Sequence, residues 1–204
     1  TTTHPEFAAL FHQLFTKYGH VYEYPMHEEG KGYKWKLAVR LDNSFQFLLA
    51  SPSDAAEQFS AARLLYASWL AGLVDSDGNI HINDYSGRVR VRVVVANSDT
   101  TLLRRIISHG LKFGYHFDGP YLLKPKGTVT PYGIRYAKDL CCVSLQRTQE
   151  ARRLLTELPI RHKEKEEKKA LALSVGIKPW KEINPKVSEL KQKIKEGVLR
   201  FTKQ

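Results

Sequence analysis

The chain has 204 residues, 42% hydrophobic and 11% aromatic, enough to bury one sizeable core or two small ones and too apolar for a disordered segment. No run of about 18 apolar residues offers a membrane-spanning helix, and no charged stretch followed by an apolar one offers a signal peptide. Lys and Arg total 32 against 21 Asp and Glu, a formal charge of +11, and a protein this basic most often meets nucleic acid, because neutralising phosphates releases counterions.

The elements predicted in chain order begin with a helix over 6–18, with Phe7, Leu10, Phe11 and Leu14 on one face, stopped by Gly19. Strands follow over 21–25 and 33–41, then a short helix to Leu49 with Ser44 as its cap. A linker of Pro, Ser, Asp and Gln spans 52–60. A second helix covers 61–74 and leads into Asp75-Ser76-Asp77-Gly78. Strands over 79–85 and 88–96 form a hairpin around Ser86-Gly87. Asp99 caps a helix over 101–113 that ends at Gly114. Strands near 115–124 and 133–145, a helix over 148–158, and basic helices over 163–175 and 187–201 complete the chain.

Placing Gly19 on Gly114 aligns Phe7 with Leu102, Phe11 with Ile106, Lys17 with Lys112 and Tyr18 with Phe113. Both segments then run helix, strand, loop, strand, short helix. Residues 1–50 therefore read as the back part of a unit whose complete copy is 61–158. The front helix and hairpin of the first copy are expected upstream of Thr1, in a chain whose only methionine is Met26. The expected organisation is a degenerate half-repeat over 1–52, a linker over 53–60, a complete unit over 61–175 and a basic helical extension over 176–204. Charge is uneven: 1–60 carries five basic and seven acidic side chains, 61–158 fourteen and eight, 159–204 thirteen and six. Cys141 and Cys142 are adjacent, so on a strand they point apart and cannot be bridged, and they have no companion spacing for a zinc site. Two reduced cysteines fit an intracellular compartment, cytoplasmic in a prokaryote or organellar in a eukaryote.

Residues Leu70-Ala71-Gly72-Leu73-Val74-Asp75-Ser76-Asp77-Gly78 carry the chemistry. On its own, Asp-x-Asp-Gly after a helix is a turn. Ala67, Ala71, Ser68 and Gly72 make small pairs four residues apart, which let two helix backbones approach closely. The nine-residue segment resembles the signature of the LAGLIDADG homing endonucleases, with seven letters in agreement, Val for Ile and Ser for Ala. The resemblance covers 61–170 well and 1–50 as a degenerate half. It implies an α+β fold of two αββαββα halves that form a saddle-shaped antiparallel sheet. It also implies two such helices side by side, each delivering one carboxylate. By position that acid is Asp77, holding Mg²⁺ between the scissile phosphates, with carbonyls beside Gly78 as further ligands. Asp75 takes a structural role at the helix end. The resemblance puts Asn97 near the scissile phosphate, with a turn and helix-cap role equally open. It also puts a lysine near the centre; Lys163 is the first choice and Lys165 the second, in a run that otherwise reads as a solvated helix face.

Arg88, Arg90 and Arg92 alternate with Val89, Val91, Val93 and Val95, so period two gathers the arginines on one face. Three arginines there repel one another, and a polyanion across the face removes the conflict. His81, Asn83 and Tyr85 share a face of the preceding strand. The resemblance puts both faces against DNA. Further DNA-binding candidates are Lys124, Lys126, Tyr136 and Lys138, and, in the degenerate half, Lys34, Lys36 and Arg40. Tyr22 and Tyr24 share a face of the strand before those lysines and are further candidates for the second half-site. The resemblance therefore implies a site-specific, Mg²⁺-dependent, intron- or intein-encoded endonuclease cutting double-stranded DNA at a long asymmetric or pseudo-palindromic site. A pseudo-symmetric single chain is favoured over a homodimer. The alternative is a nucleic-acid-binding protein of the same fold without cleavage, an RNA maturase or a DNA-binding regulator.

Overall fold

The computed structural model of the protein describes residues 1–28, 32–49, 61–130, 133, 135–176 and 178–202; the expected linker over 53–60 lies outside them. The fold is α+β with antiparallel sheets. It divides into two compact units, Thr1–Ala50 with Ser188–Gln204, and Ser51–Val187.

The first unit holds α1 (Pro5–Phe15), the hairpin β1 (Val21–Glu28) and β2 (Gly32–Val39), and a 3-10 helix over Asn43–Leu49. Pro25 sits inside β1 opposite Trp35, which β1 tolerates as an edge strand, while Trp35 exchanges its backbone bonds with Thr2 on the other side of β2. His12 Nε2 bonds Glu23 Oε2 at 2.7 Å, which places α1 against one face of the hairpin. The 3-10 helix is capped by Asp42, not by Ser44: Asp42 Oδ1 accepts from both the backbone N–H and the hydroxyl of Ser44.

The larger unit runs α2 (Arg63–Asp77), β3 (Gly78–Tyr85), β4 (Arg88–Asn97), α3 (Thr100–Lys112), β5 (Phe117–Lys124), β6 (Leu140–Leu145), α4 (Thr148–Glu157) and α5 (Lys163–Ser174). Its sheet has the order β3-β4-β6-β5. The turn between β3 and β4 places Ser86 and Gly87 both at positive φ, 53° and 77°, as a two-residue hairpin loop that follows the strand twist requires. One sheet face, with Ile80, Ile82, Val89, Val91, Val93, Val95, Val143 and Leu145, is buried. Over it lie Tyr66, Ala67, Leu70, Ala71 and Val74 of α2, Leu103 and Ile106 of α3, and Ala151, Leu154 and Leu155 of α4. Burial of such side chains contributes roughly 1.5–3 kcal/mol each before entropy is counted. Asp99 caps α3 as expected, its Oδ1 accepting from the N–H of Thr101 and Leu102.

Three elements depart from the sequence reading. β6 begins at Leu140, not at 133, so Tyr136 and Lys138 lie in the connection after β5 and not on a strand. The last helix, α6 (Trp180–Thr202), begins before 187 and passes through Pro185. Pro185 stands about one and a half turns in, where it removes one backbone bond, and buried Ile183 and Val187 anchor that stretch in the core. Ala67 and Ala71 point into the core of their own unit, whereas Ser68 and Gly72 are exposed, so the small residues do not form one face. Among the described residues no helix is long and apolar enough to cross a membrane.

Candidate nucleic-acid interface and acidic helix end

α2 passes into β3 with no intervening loop, and Gly78 makes this possible. Its N–H donates to the Val74 carbonyl, closing the last helical turn, while its own backbone is already extended. A Cβ there would stand 2.6 Å from Val74 Cα and 2.9 Å from its carbonyl oxygen, so only glycine fits. Asp77 is thereby the last helical residue, and it stands in solvent with Ser76 Oγ 3.4 Å from its Oδ2.

Asp75, two residues back, has the opposite environment. It is buried and accepts the backbone N–H of Arg161 at 2.9 Å and of His162 at 3.2 Å. Burial pushes its carboxyl up, against the pull of those two bonds and of Lys165 and Arg161. Asp75 thus ties the chain entering α5 to the end of α2, the structural role expected of it.

Lys165 completes the knot. Its Nζ donates to the carbonyls of Val74 at 2.7 Å and Asp75 at 2.6 Å, with Ser76 at 3.5 Å. The Asp75 and Ser76 carbonyls are acceptors that a helix end leaves open, the Val74 carbonyl accepts the ammonium as well as the Gly78 N–H, and a cation there complements the helix dipole. Burial lowers the Lys165 ammonium, Asp75 and Asp77 raise it, and Lys168 lowers it, with a net downward shift. Lys168 donates to Asn79 Oδ1 at 3.0 Å. Lys163, the first choice from sequence, is exposed at the start of α5; Lys165 is the lysine the structure brings to the motif helix. Asn97 Oδ1 accepts from the Asp99 N–H at 2.9 Å, so its side chain serves the turn that starts α3.

The sheet face opposite the core carries the expected residues together. The register sets His81 opposite Arg92, Asn83 opposite Arg90 and Tyr85 opposite Arg88, so all six share one side. Arg88 is exposed, and Arg90 and Arg92 are half-buried. The Arg90 guanidinium lies 4.5 Å over the Tyr85 ring, and its Nη2 donates to Gln146 Oε1 at 2.6 Å. With its amide turned to suit its neighbours, Asn83 accepts from Arg92 Nη2 at 3.2 Å and donates to the Ile82 carbonyl. Gln146 was not foreseen, although it keeps the parity of Ser144 and Cys142 one step beyond β6. Lys124 is exposed at the end of β5, and Lys126 and Lys138 are exposed in the connection to β6, where Gly127 N–H donates to the Tyr136 carbonyl.

In the first unit, β1 pairs Tyr22 with Ala38, Tyr24 with Lys36 and Met26 with Lys34. Directly paired residues point to one side, so Tyr22 and Tyr24 share the face of Lys34, Lys36 and, by period two, Arg40.

Among the described residues, no three His, Cys, Asp or Glu side chains converge on a metal-sized space. Chemically, the arrangement offers one exposed carboxylate held beside an ammonium, and a donor-rich face on a basic chain. No protein-family model and no curated protein matches this chain.

Proposed function

We propose that the chain is a LAGLIDADG-type endonuclease that binds double-stranded DNA and hydrolyses its phosphodiester bonds with the help of Mg²⁺. The observation that carries this reading is the placement of Asp77: an exposed carboxylate ends the motif helix and the next residue opens a strand of the arginine-bearing sheet. The element order α2-β3-β4-α3-β5-β6-α4 supports the αββαββα half.

The donor set fits the metal. Asp77 offers hard oxygen ligands, and Mg²⁺ is ordinarily held by one or two carboxylates with substrate phosphates and waters filling the rest. Bound there, it would stabilise charge on the transferring phosphorus and on the attacking and leaving oxygens. The chain's own residues do the remainder. Arg88, Arg90 and Arg92 attract and orient the duplex. Lys165 and Asp75 hold the end of α2 so that Asp77 projects at a fixed position. A double-strand break needs a second carboxylate, from a second copy of the chain or from a preceding motif.

The test uses duplexes enriched by binding from a random library. Asp77→Asn is expected to keep binding and to lose cleavage in Mg²⁺, because the amide keeps the size but not the charge. Cleavage at near wild-type rate by this variant, or undiminished cleavage in excess EDTA, overturns the proposal.

A further inference from the structure

Resting on the DNA-binding reading, we propose that the two hairpins recognise different bases, β3–β4 guanine and β1–β2 thymine.

The two faces differ in chemistry. On β3–β4 the arginines present donors in rigid forks. Arg90 is fixed in advance by the Tyr85 ring on one side and Gln146 on the other, so less side-chain freedom is lost when it binds. Asn83, whose amide could read adenine, is already engaged by Arg92 and the Ile82 carbonyl. A face of fixed donors matches the base that shows two acceptors in the major groove, guanine with N7 and O6.

On β1–β2 the paired residues present no such fork, and Arg40 on this face stands one residue beyond the last pair, Val21 with Val39. Tyr22, Tyr24 and Met26 stand 37%, 51% and 42% exposed, opposite Ala38, Lys36 and Lys34. α1 lies on the other side, where His12 meets Glu23, so these rings and the thioether do not serve the packing between helix and hairpin. Lysine is a flexible point charge suited to phosphate, whereas Tyr and Met offer apolar surface. Thymine alone carries an apolar group, its 5-methyl, in the major groove. Lysines for the backbone and rings for the methyl match a run of thymines.

The experiment is a binding selection of the full chain, in EDTA to keep the DNA intact, on a duplex library randomised over the whole site. A site with a guanine-rich segment and a thymine-rich segment is expected. Arg90→Lys, which keeps the charge and loses the fork, is expected to relax guanine preference by roughly 5- to 150-fold and to leave thymine preference unchanged. Tyr24→Ala is expected to relax thymine preference and to leave guanine preference unchanged. Replacing those thymines by deoxyuridine removes only the methyl, and is expected to weaken wild-type binding by about 4-fold per contacted methyl and Tyr24→Ala binding not at all. An enriched site without a guanine-rich and a thymine-rich segment, or indifference to deoxyuridine, overturns the proposal and leaves DNA recognition standing. Enrichment of no duplex sequence takes down the DNA-binding reading itself, and this proposal with it.

Discussion

Two carboxylates two positions apart on one helix meet opposite fates, and their substitutions separate accordingly. Asp75 faces inward and accepts the backbone N–H groups of Arg161 and His162. Asp75→Ala removes the acceptor of both bonds, and losing such a bond at a buried group costs about 1–3 kcal/mol. Asp77 is exposed, so Asp77→Asn is expected to change stability by less than about 0.5 kcal/mol. Urea unfolding measures both; a midpoint for Asp75→Ala equal to that of Asp77→Asn would deny the clamp. The contrast was legible from the motif, but the choice among nearby lysines was not. Lys163 and Lys165 stand in one charged run with the same local pattern. Which of them meets the end of α2 is decided by how α5 is docked, and no spacing rule contains that.

At the scale of elements, the junction of α2 and β3 is as tight as a backbone allows. Gly78→Ala forces a methyl against the Val74 backbone at 2.6 Å, and neither partner is a side chain that can turn away. A loss of about 1–3 kcal/mol is expected, with α2 fraying at its acidic end. Gly72, in the same helix, has nothing within 4 Å of an added Cβ, so Gly72→Ala is expected to stabilise by about 0.5–1 kcal/mol through helix propensity. Thermal unfolding of the two variants should move in opposite directions, and a shift of like sign would deny the packed junction. Period two grouped Arg88, Arg90 and Arg92 correctly because alternation is a property of one strand. It does not by itself say whether Tyr22 and Tyr24 stand on the side of Lys34 and Lys36, because the face of a partner strand depends on register, which turn length sets. β6 was read too long because 133–139 carries Ile134 and Tyr136, both strand formers, yet among the described residues only 140–145 finds pairing partners in the sheet. α6 was read too short because Pro185 argues for a stop, and burial of Ile183 and Val187 overrode it.

Over the whole molecule, stability and charge are coupled through pH. Arg63 opens α2 and Glu157 closes α4, so each stands at the unfavourable end of its own helix dipole, and they offset this by pairing. The Arg63 guanidinium holds the Glu157 carboxyl below the usual carboxylate range against the opposing effect of burial. Burial pushes Glu150 up, but the His116 N–H, Arg147 and the His116 ring outweigh it and leave it lowered as well. A carboxyl whose folded pKa lies below its unfolded one, about 4.3 for Glu, contributes stability in full above the unfolded value. That contribution is lost as pH falls through the folded value. Over the same range the formal charge climbs above the +11 of neutral pH, and self-repulsion adds to the loss. The urea midpoint is therefore expected to fall steeply below about pH 4. Glu157→Gln should lower the midpoint at pH 7 and flatten the acid limb, since the amide has no proton to gain. A wild-type acid slope in Glu157→Gln would mean that the pair contributes nothing. Arg63 and Asp77 stand at opposite ends of α2, about 20 Å apart along a helix of 15 residues. Acid weakening through this pair is thus expected to leave DNA cleavage per folded molecule unchanged, which cleavage rates normalised to the folded fraction, compared between wild type and Glu157→Gln at pH 5 and 7, would check.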